Sequence, residues 1–246
     1  MSTRLWLQRC LRAVAFCVAV VGLEARVPAQ GSAAGTPAKP APTSASVRDD
    51  PSLPRVLLIG DSISDYYRAA VQEALAGKAN VHRIPENGGS TRKGLTCIDR
   101  WLGNGRWDAI HFNFGIHDMK LIDGNEQVPI DEYERNLRRL VERLKKTKAT
   151  LIWSTTTPET NVRVCRSEDG VAYNAVAEKV MKQNGVLVND LYALALPWLG
   201  QIHRPDQVHF TPEGSRVLGG QVAAAILKAL KKPADTTTGV PETAKK

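Results

Sequence analysis

Apolar residues along this chain fall into two kinds of segment that alternate. Short continuous apolar runs, such as residues 56–59, are typical of β-strands buried on both faces. Longer stretches carry apolar residues at helical spacing, as do Leu137, Leu140 and Leu144. Such a stretch predicts an amphipathic helix that packs one face against a core.

The alternation holds from residue 55 to residue 230. The predicted strands are 55–59, 81–84, 108–114, 150–155 and 186–188, and the predicted helices are 63–76, 93–102, 133–146, 170–183 and 211–230. Repeated strand-helix units of this kind predict a parallel sheet covered by helices on both faces. We therefore expect an α/β fold, a three-layer αβα sandwich with a flavodoxin-like five-stranded parallel sheet.

The chain ends have a different composition. Three arginines precede an apolar stretch at 13–23 that is too short to span a bilayer comfortably, and small residues follow before Gln30. This pattern predicts a signal peptide at 1–29 and a periplasmic or secreted protein; an uncleaved membrane anchor is the alternative. Residues 30–53, rich in Ala, Pro, Ser and Thr, predict a disordered linker, and 233–246 a disordered tail. The folded domain should span 54–232.

Bulk composition narrows the possible partners. The chain has 246 residues, a formal charge of +8 and 43% hydrophobic residues, enough for one domain with a full core. Because no long basic run is interleaved with aromatic residues, we expect no nucleic-acid partner. Because the apolar stretch at 13–23 is short and belongs to the predicted signal peptide, we expect no stable membrane insertion after signal cleavage. Cys97 and Cys165 remain in the exported chain, either joined as a disulfide or as two separate buried thiols. The oligomeric state is not indicated.

Chemistry-bearing residues follow several of the predicted strands. Ser62 comes directly after the first strand, Gly88 and Gly89 follow the second, and residues 115–118 follow the third. The carboxyl ends of parallel strands meet at one sheet edge, so these loops should converge. Ser62 at a helix start would present an exposed hydroxyl and an outward-facing amide, which suits a nucleophile; a plain helix cap is the alternative.

A carboxylate and an imidazole stand three residues apart near the end of the domain. In one tight turn, Asp206 could hold one nitrogen of His209 while the other faces a serine; an incidental surface pair is the alternative. Asp190 could compete as the acid, although a helix cap is the simpler interpretation. His117 could donate to a developing negative charge, or could instead be a loop histidine bonded to its neighbour Asp118 or to a backbone group.

Four short blocks, in order, resemble the SGNH (GDSL-like) hydrolase superfamily across residues 55–230. They are Gly60-Asp61-Ser62, Gly89 (or Gly88), Gly115-Ile116-His117-Asp118 and Asp206-Gln207-Val208-His209. The resemblance implies Ser62, Asp206 and His209 as the catalytic triad. It implies an oxyanion hole made by Ser62, Gly89 and His117, and no metal or cofactor. The family's third block reads Gly-x-Asn-Asp, and the histidine here resembles a bacterial branch of the superfamily.

The expected function is that of an exported serine esterase acting on short acyl esters. By resemblance, the leading substrate is a small ester or an acylated glycan, with acetate on carbohydrate as the first choice. A glycan O-acyltransferase on the same scaffold and a non-catalytic glycan-binding module are the two alternatives.

Overall fold

The computed structural model of the protein describes residues 49–166 and 168–231. The predicted signal peptide at 1–29, the linker up to residue 48 and the tail at 233–246 lie outside these residues and stay predictions. Within the described ranges, none of the helices is both long and apolar enough to cross a membrane.

Five parallel strands form the central sheet. The strands of the described chain are β1 (Arg55–Ile59), β2 (Asn80–Arg83), β3 (Ala109–Phe112), β4 (Leu121–Ile122), β5 (Asn125–Glu126), β6 (Thr150–Ser154) and β7 (Leu187–Asn189). The sheet order is β2-β1-β3-β6-β7, with Val56 of β1 opposite Val81 on one side and Ala109 on the other. This is the predicted flavodoxin-like order, in which the chain reverses its direction of growth between β1 and β3.

Helices cover both faces of the sheet. They are α1 (Ser62–Ala74), α2 (Thr91–Leu102), α3 (Ile116–Met119), α4 (Ile130–Lys145), α5 (Asp169–Gln183), α6 (Leu191–Ala195), α7 (Leu199–Ile202) and α8 (Pro212–Lys231). Helix α1 packs on α8, whereas α2 packs on α4 and α4 on α5. The apolar face predicted for 133–146 is buried as expected, since Leu137, Leu140 and Leu144 are each fully covered. The three-layer prediction is therefore confirmed.

Several short elements were not predicted. Strands β4 and β5 form a separate antiparallel hairpin, turned by Asp123 (φ 50°) and Gly124 (φ 79°). Helix α6 is followed by a 3-10 turn at Leu196–Trp198 and then by α7. Each element is two to five residues long, which is too short to show a hydrophobic period.

Candidate active site

Ser62 is the first residue of α1, shortly after the end of β1. The helix cap is supplied by Asp61, whose Oδ1 accepts the Ile63 amide at 2.9 Å. The Ser62 hydroxyl is therefore not needed as a cap, and its Oγ lies 2.9 Å from Nε2 of His209. The two residues are 147 positions apart in sequence, so the fold itself brings the hydroxyl and the imidazole together.

Asp206 and His209 form a compact turn ahead of α8. Nδ1 of His209 lies 2.9 Å from Oδ2 of Asp206, and Oδ1 of Asp206 accepts the amides of His209 at 2.8 Å and Val208 at 2.9 Å. The His209 amide is the main cause that holds the pKa of Asp206 down, at about 2. The carboxylate is thus ionised at neutral pH and fixes which imidazole nitrogen faces Ser62.

Neighbouring elements brace this turn. The Asn161 side chain donates to the Asp206 carbonyl at 3.0 Å, and the ring of Tyr66 meets that of His209 edge-on at 5.3 Å. The guanidinium of Arg204 covers Tyr66 at 4.4 Å from the ring centroid. Sequence reasoning missed these residues, because none belongs to a short motif; the position of Tyr66 one helical turn after Ser62 is the one available signal.

The two adjacent glycines after β2 have different roles. The Gly88 amide donates to the Gly60 carbonyl at 2.9 Å, and a Cβ on Gly88 would lie 2.9 Å from that oxygen. Gly88 therefore serves the close approach of two loops. Gly89 has a φ of +64°, and its amide donates to the Asn87 side-chain oxygen at 2.8 Å. This bond occupies the amide that the resemblance assigns to the oxyanion hole, so a substrate oxygen would have to displace the Asn87 side chain, and the role of Gly89 stays a prediction.

His117 lies in α3, beside Ser62 and His209. Burial lowers the pKa of His117, against the opposing influence of Asp61, so the imidazole is neutral at neutral pH and carries one N–H. The alternative bond to Asp118 is not made: that carboxylate accepts the amide of Thr91 at 2.9 Å and its hydroxyl at 2.5 Å. His117 lines the same pocket as Ser62 and His209, and its role as an oxyanion donor stays a prediction.

A pocket of about 220 Å³ opens beside these groups. Its apolar walls are Ile63, Ile116, Val164 and Val208, and Lys120 stands exposed among the lining residues. Ser62, His117 and His209 also line it. The nucleophile, the base and one candidate oxyanion donor thus face a single apolar recess, the arrangement that acyl transfer requires.

Residues 58–217 match the model of the GDSL-like Lipase/Acylhydrolase family. The chain belongs to this family. It is accordingly an esterase of the SGNH hydrolase type. Over 216 residues it is 26% identical to a GDSL esterase/lipase of Arabidopsis thaliana, a match that covers 73% of this chain and 88% of the plant protein. It is 33% identical over 104 residues to the isoamyl acetate-hydrolyzing esterase 1 homolog of Mus musculus, covering 37% of this chain and 42% of that protein.

Solved structures of a lipase/acylhydrolase and of an acetylxylan esterase share the fold. A lipase/acylhydrolase from Enterococcus faecalis superposes with a TM-score of 0.63 at 20% identity, covering 71% of this chain and 95% of that one. Axe2, an acetylxylan esterase from Geobacillus stearothermophilus, gives a TM-score of 0.57 at 20% identity, covering 73% and 94%. At these identities the likeness establishes the three-layer architecture.

Other predicted candidates have structural roles in this GDSL-like hydrolase. Asp190 caps α6, accepting the Ala193 amide at 3.0 Å, and so serves as a cap and not as a competing acid. Cys97 and Cys165 are free thiols, the first half-buried and the second buried. The disulfide alternative is therefore wrong for this structure.

Proposed function

We propose that this GDSL-like hydrolase is an exported serine esterase that removes short acyl groups, acetate first among them, from carbohydrate. The observation that carries the proposal is the continuous line of contacts from Ser62 through His209 to Asp206, with both distances at 2.9 Å. A nucleophile, its base and an orienting carboxylate in one line are the requirements of serine hydrolysis.

The reaction follows from the contacts. His209 Nε2 takes the hydroxyl proton of Ser62 while Oγ attacks the ester carbonyl carbon. The oxyanion that forms is held by the Ser62 amide, by the Gly89 amide once Asn87 has turned away, and by the N–H of His117. The bond to the alcohol then breaks, and the alcohol leaves with the proton from His209. Water repeats the sequence on the acyl-serine and releases the acid, without any metal or cofactor.

The preference for a short acyl group is supported by the pocket. A volume of about 220 Å³ between apolar walls lies below the roughly 300 Å³ at which sites for drug-sized ligands begin, which favours a small ester. Two structural neighbours are acetylxylan esterases by their descriptions, and the predicted signal peptide would send the protein toward extracellular glycans. The third block reads Gly115-Ile116-His117-Asp118, and we assign it to the bacterial branch that uses histidine in place of asparagine as an oxyanion donor.

Hydrolysis of 4-nitrophenyl acetate, butyrate and decanoate, and release of acetate from acetylated xylan, test the proposal in wild type and in Ser62→Ala. The variant should lose at least ~10³-fold in kcat/KM, and the acetate should be the fastest nitrophenyl ester. Ser52→Ala, an exposed serine before β1, is the matched control and should be unaffected.

Three results would contradict the proposal. Equal activity of Ser62→Ala and wild type would remove the nucleophile assignment. Product that forms only when a glycan acceptor is present would favour the acyltransferase. Absence of turnover together with absence of labelling by a fluorophosphonate would favour the glycan-binding module.

A further inference from the structure

Arg83 is the last residue of β2, and its guanidinium contacts the turn at residues 60–64 that carries Ser62. Only 6% of its side chain is exposed. Its Nη2 donates to the carbonyls of Asp61 at 2.9 Å and Gly60 at 3.3 Å, and its Nε donates to the Ser64 hydroxyl at 3.2 Å. These acceptors flank Ser62 on both sides in sequence, so one side chain holds the whole turn that presents the nucleophile.

The same guanidinium also holds the loop that follows β2. Nη1 of Arg83 donates to the carbonyls of Ile84 at 3.0 Å and Glu86 at 3.2 Å. That loop leads directly to Gly89, whose amide is the second predicted oxyanion donor. A guanidinium is planar and its N–H groups point in fixed directions. Its five hydrogen bonds therefore fix the position of the turn around Ser62 relative to the loop that follows β2.

A second effect acts on the Ser62 amide itself. The Asp61 carbonyl oxygen accepts three hydrogen bonds, from Arg83 at 2.9 Å, from the Ser64 hydroxyl at 2.7 Å and from the Asp65 amide at 3.2 Å. This carbonyl belongs to the same peptide group as the Ser62 N–H. A cation bonded to the oxygen draws electron density from the peptide and makes its N–H a stronger donor.

We propose that Arg83 is the positioning residue of the oxyanion hole: it fixes the Ser62 and Gly89 amides relative to each other and polarises the Ser62 peptide. The inference rests on the proposed serine mechanism. Arg83 is not among the residues that line the pocket beside Ser62, so its contribution appears through the two amides when negative charge develops on the substrate oxygen. Its loss should lower kcat far more than it raises KM.

The test compares Arg83→Met, Arg83→Lys and Ser64→Ala with wild type in the hydrolysis of 4-nitrophenyl acetate. Arg83→Met should lose roughly 10²-fold or more in kcat with KM changed by less than about 3-fold. Arg83→Lys keeps the positive charge but lacks the planar guanidinium, and it should retain about 10-fold more activity than the methionine variant. Ser64→Ala removes one bond to the Asp61 oxygen and should lose about 3- to 10-fold.

Inhibition by a trifluoromethyl ketone separates positioning from general damage. This inhibitor forms an oxyanion on Ser62, so its affinity should fall across the three variants in proportion to kcat/KM, as expected for a transition-state mimic. Two controls are needed. Arg138→Met removes another partly buried arginine, bonded to Glu134 and Gln183, and Val180→Ala destabilises the fully buried side of α5. Both should keep wild-type kcat and wild-type inhibitor affinity.

The outcomes are distinguishable. A folded Arg83→Met protein with kcat within about 3-fold of wild type overturns the inference while the proposed function stands. If both Arg83 variants fail to fold, Ser64→Ala decides: unchanged kcat and inhibitor affinity there overturn the inference. A wild-type protein that hydrolyses no ester overturns the proposed function and this inference with it.

Discussion

The role of Asp206 can be tested by Asp206→Asn, a change of one atom. Oδ1 of asparagine can still accept the amides of His209 and Val208, which Asp206 holds at 2.8 and 2.9 Å, so the turn should keep its shape. The side-chain NH₂ would then face Nδ1 of His209, where Oδ2 now lies at 2.9 Å. Nδ1 must become an acceptor, and the ring proton moves to Nε2, where it blocks removal of the Ser62 proton.

The size of the loss follows from these contacts. To return to the active tautomer, His209 must carry its proton on Nδ1, where it would face the side-chain NH₂ of the asparagine. The charge-assisted bond between Nδ1 and the carboxylate is then lost, which costs about 1.5 to 3 kcal/mol. Loss of the carboxylate opposite the imidazolium adds about 1 kcal/mol, a small amount because 46% of the Asp206 side chain is exposed. We expect kcat/KM to fall ~10²- to 10³-fold, less than the roughly 10⁴-fold typical of a buried triad carboxylate.

The assay is hydrolysis of 4-nitrophenyl acetate from pH 5 to 9, with Asp190→Asn as the matched control. Asn caps a helix about as well as Asp, so the control should stay within about 2-fold of wild type. Since the pKa of Asp206 is held at about 2, the wild-type rate should show no acidic limb from this group above pH 4. If Asp206→Asn stays within about 5-fold of wild type while Asp190→Asn loses activity, the assignment of the acid is wrong.

Three further predictions concern His117 and two buried titratable groups. His117→Asn should keep activity within about 10-fold and His117→Ala should lose roughly 10²-fold; equal losses would mean that His117 does not donate to the oxyanion. Burial raises the pKa of Asp118 to about 7, so the stabilising contribution of this group is present below pH 4 and lost as the pH rises toward 7. Removing the carboxyl group in Asp118→Asn should therefore make the change in unfolding free energy from pH 4 to pH 7 roughly 4 kcal/mol more favourable than in wild type. Burial lowers the pKa of His111 to about 3, so the stabilising contribution of this group is present above pH 6.5 and lost as the pH falls. Removing the imidazole in His111→Gln should therefore make the same change from pH 4 to pH 7 roughly 3 kcal/mol less favourable than in wild type. Urea unfolding at pH 4, 5.5 and 7 checks both, and identical pH slopes in wild type and both variants would contradict the reasoning.

The sheet could be predicted because its strands are buried on both faces and therefore read as apolar runs. The predicted strand ends were less accurate where polar residues interrupt the apolar run. The third strand was predicted to run to Phe114 but ends at Phe112; the Asn113 amide still donates to the Ile59 carbonyl, whereas the Ser154 carbonyl of the next strand accepts the Asn113 side chain at 2.8 Å. The chain then reaches Gly115, where a Cβ would collide with the Thr156 hydroxyl. Local propensity carries no information about such a contact.

The residues of the candidate site also differ in whether the sequence alone could predict their roles. Ser62, Asp206 and His209 could be named from short motifs, because hydrolysis needs those residue types and the strand ends converge. Arg83 could not, since a lone arginine at a strand end gives no indication of where its guanidinium points. Nor could the Asn87 bond to the Gly89 amide, which depends on a side-chain rotation. The Asp123-Gly124 turn of the hairpin is different: an Asp-Gly pair is a recognised hairpin signal and was available.

The turn from Asp206 to His209 has a consequence for how activity is lost. Its internal contacts span two or three residues and depend on a local turn with Gln207 at φ 59°, whereas the contact with Ser62 joins distant parts of the chain. The acid and the base are therefore oriented toward each other by local contacts alone, and the rest of the fold is needed only to bring the pair to the serine. The contacts to Asn161 and Tyr66 set where this pair lies relative to Ser62. Loss of those contacts would therefore weaken the meeting of His209 with Ser62 without changing the imidazole tautomer that Asp206 fixes.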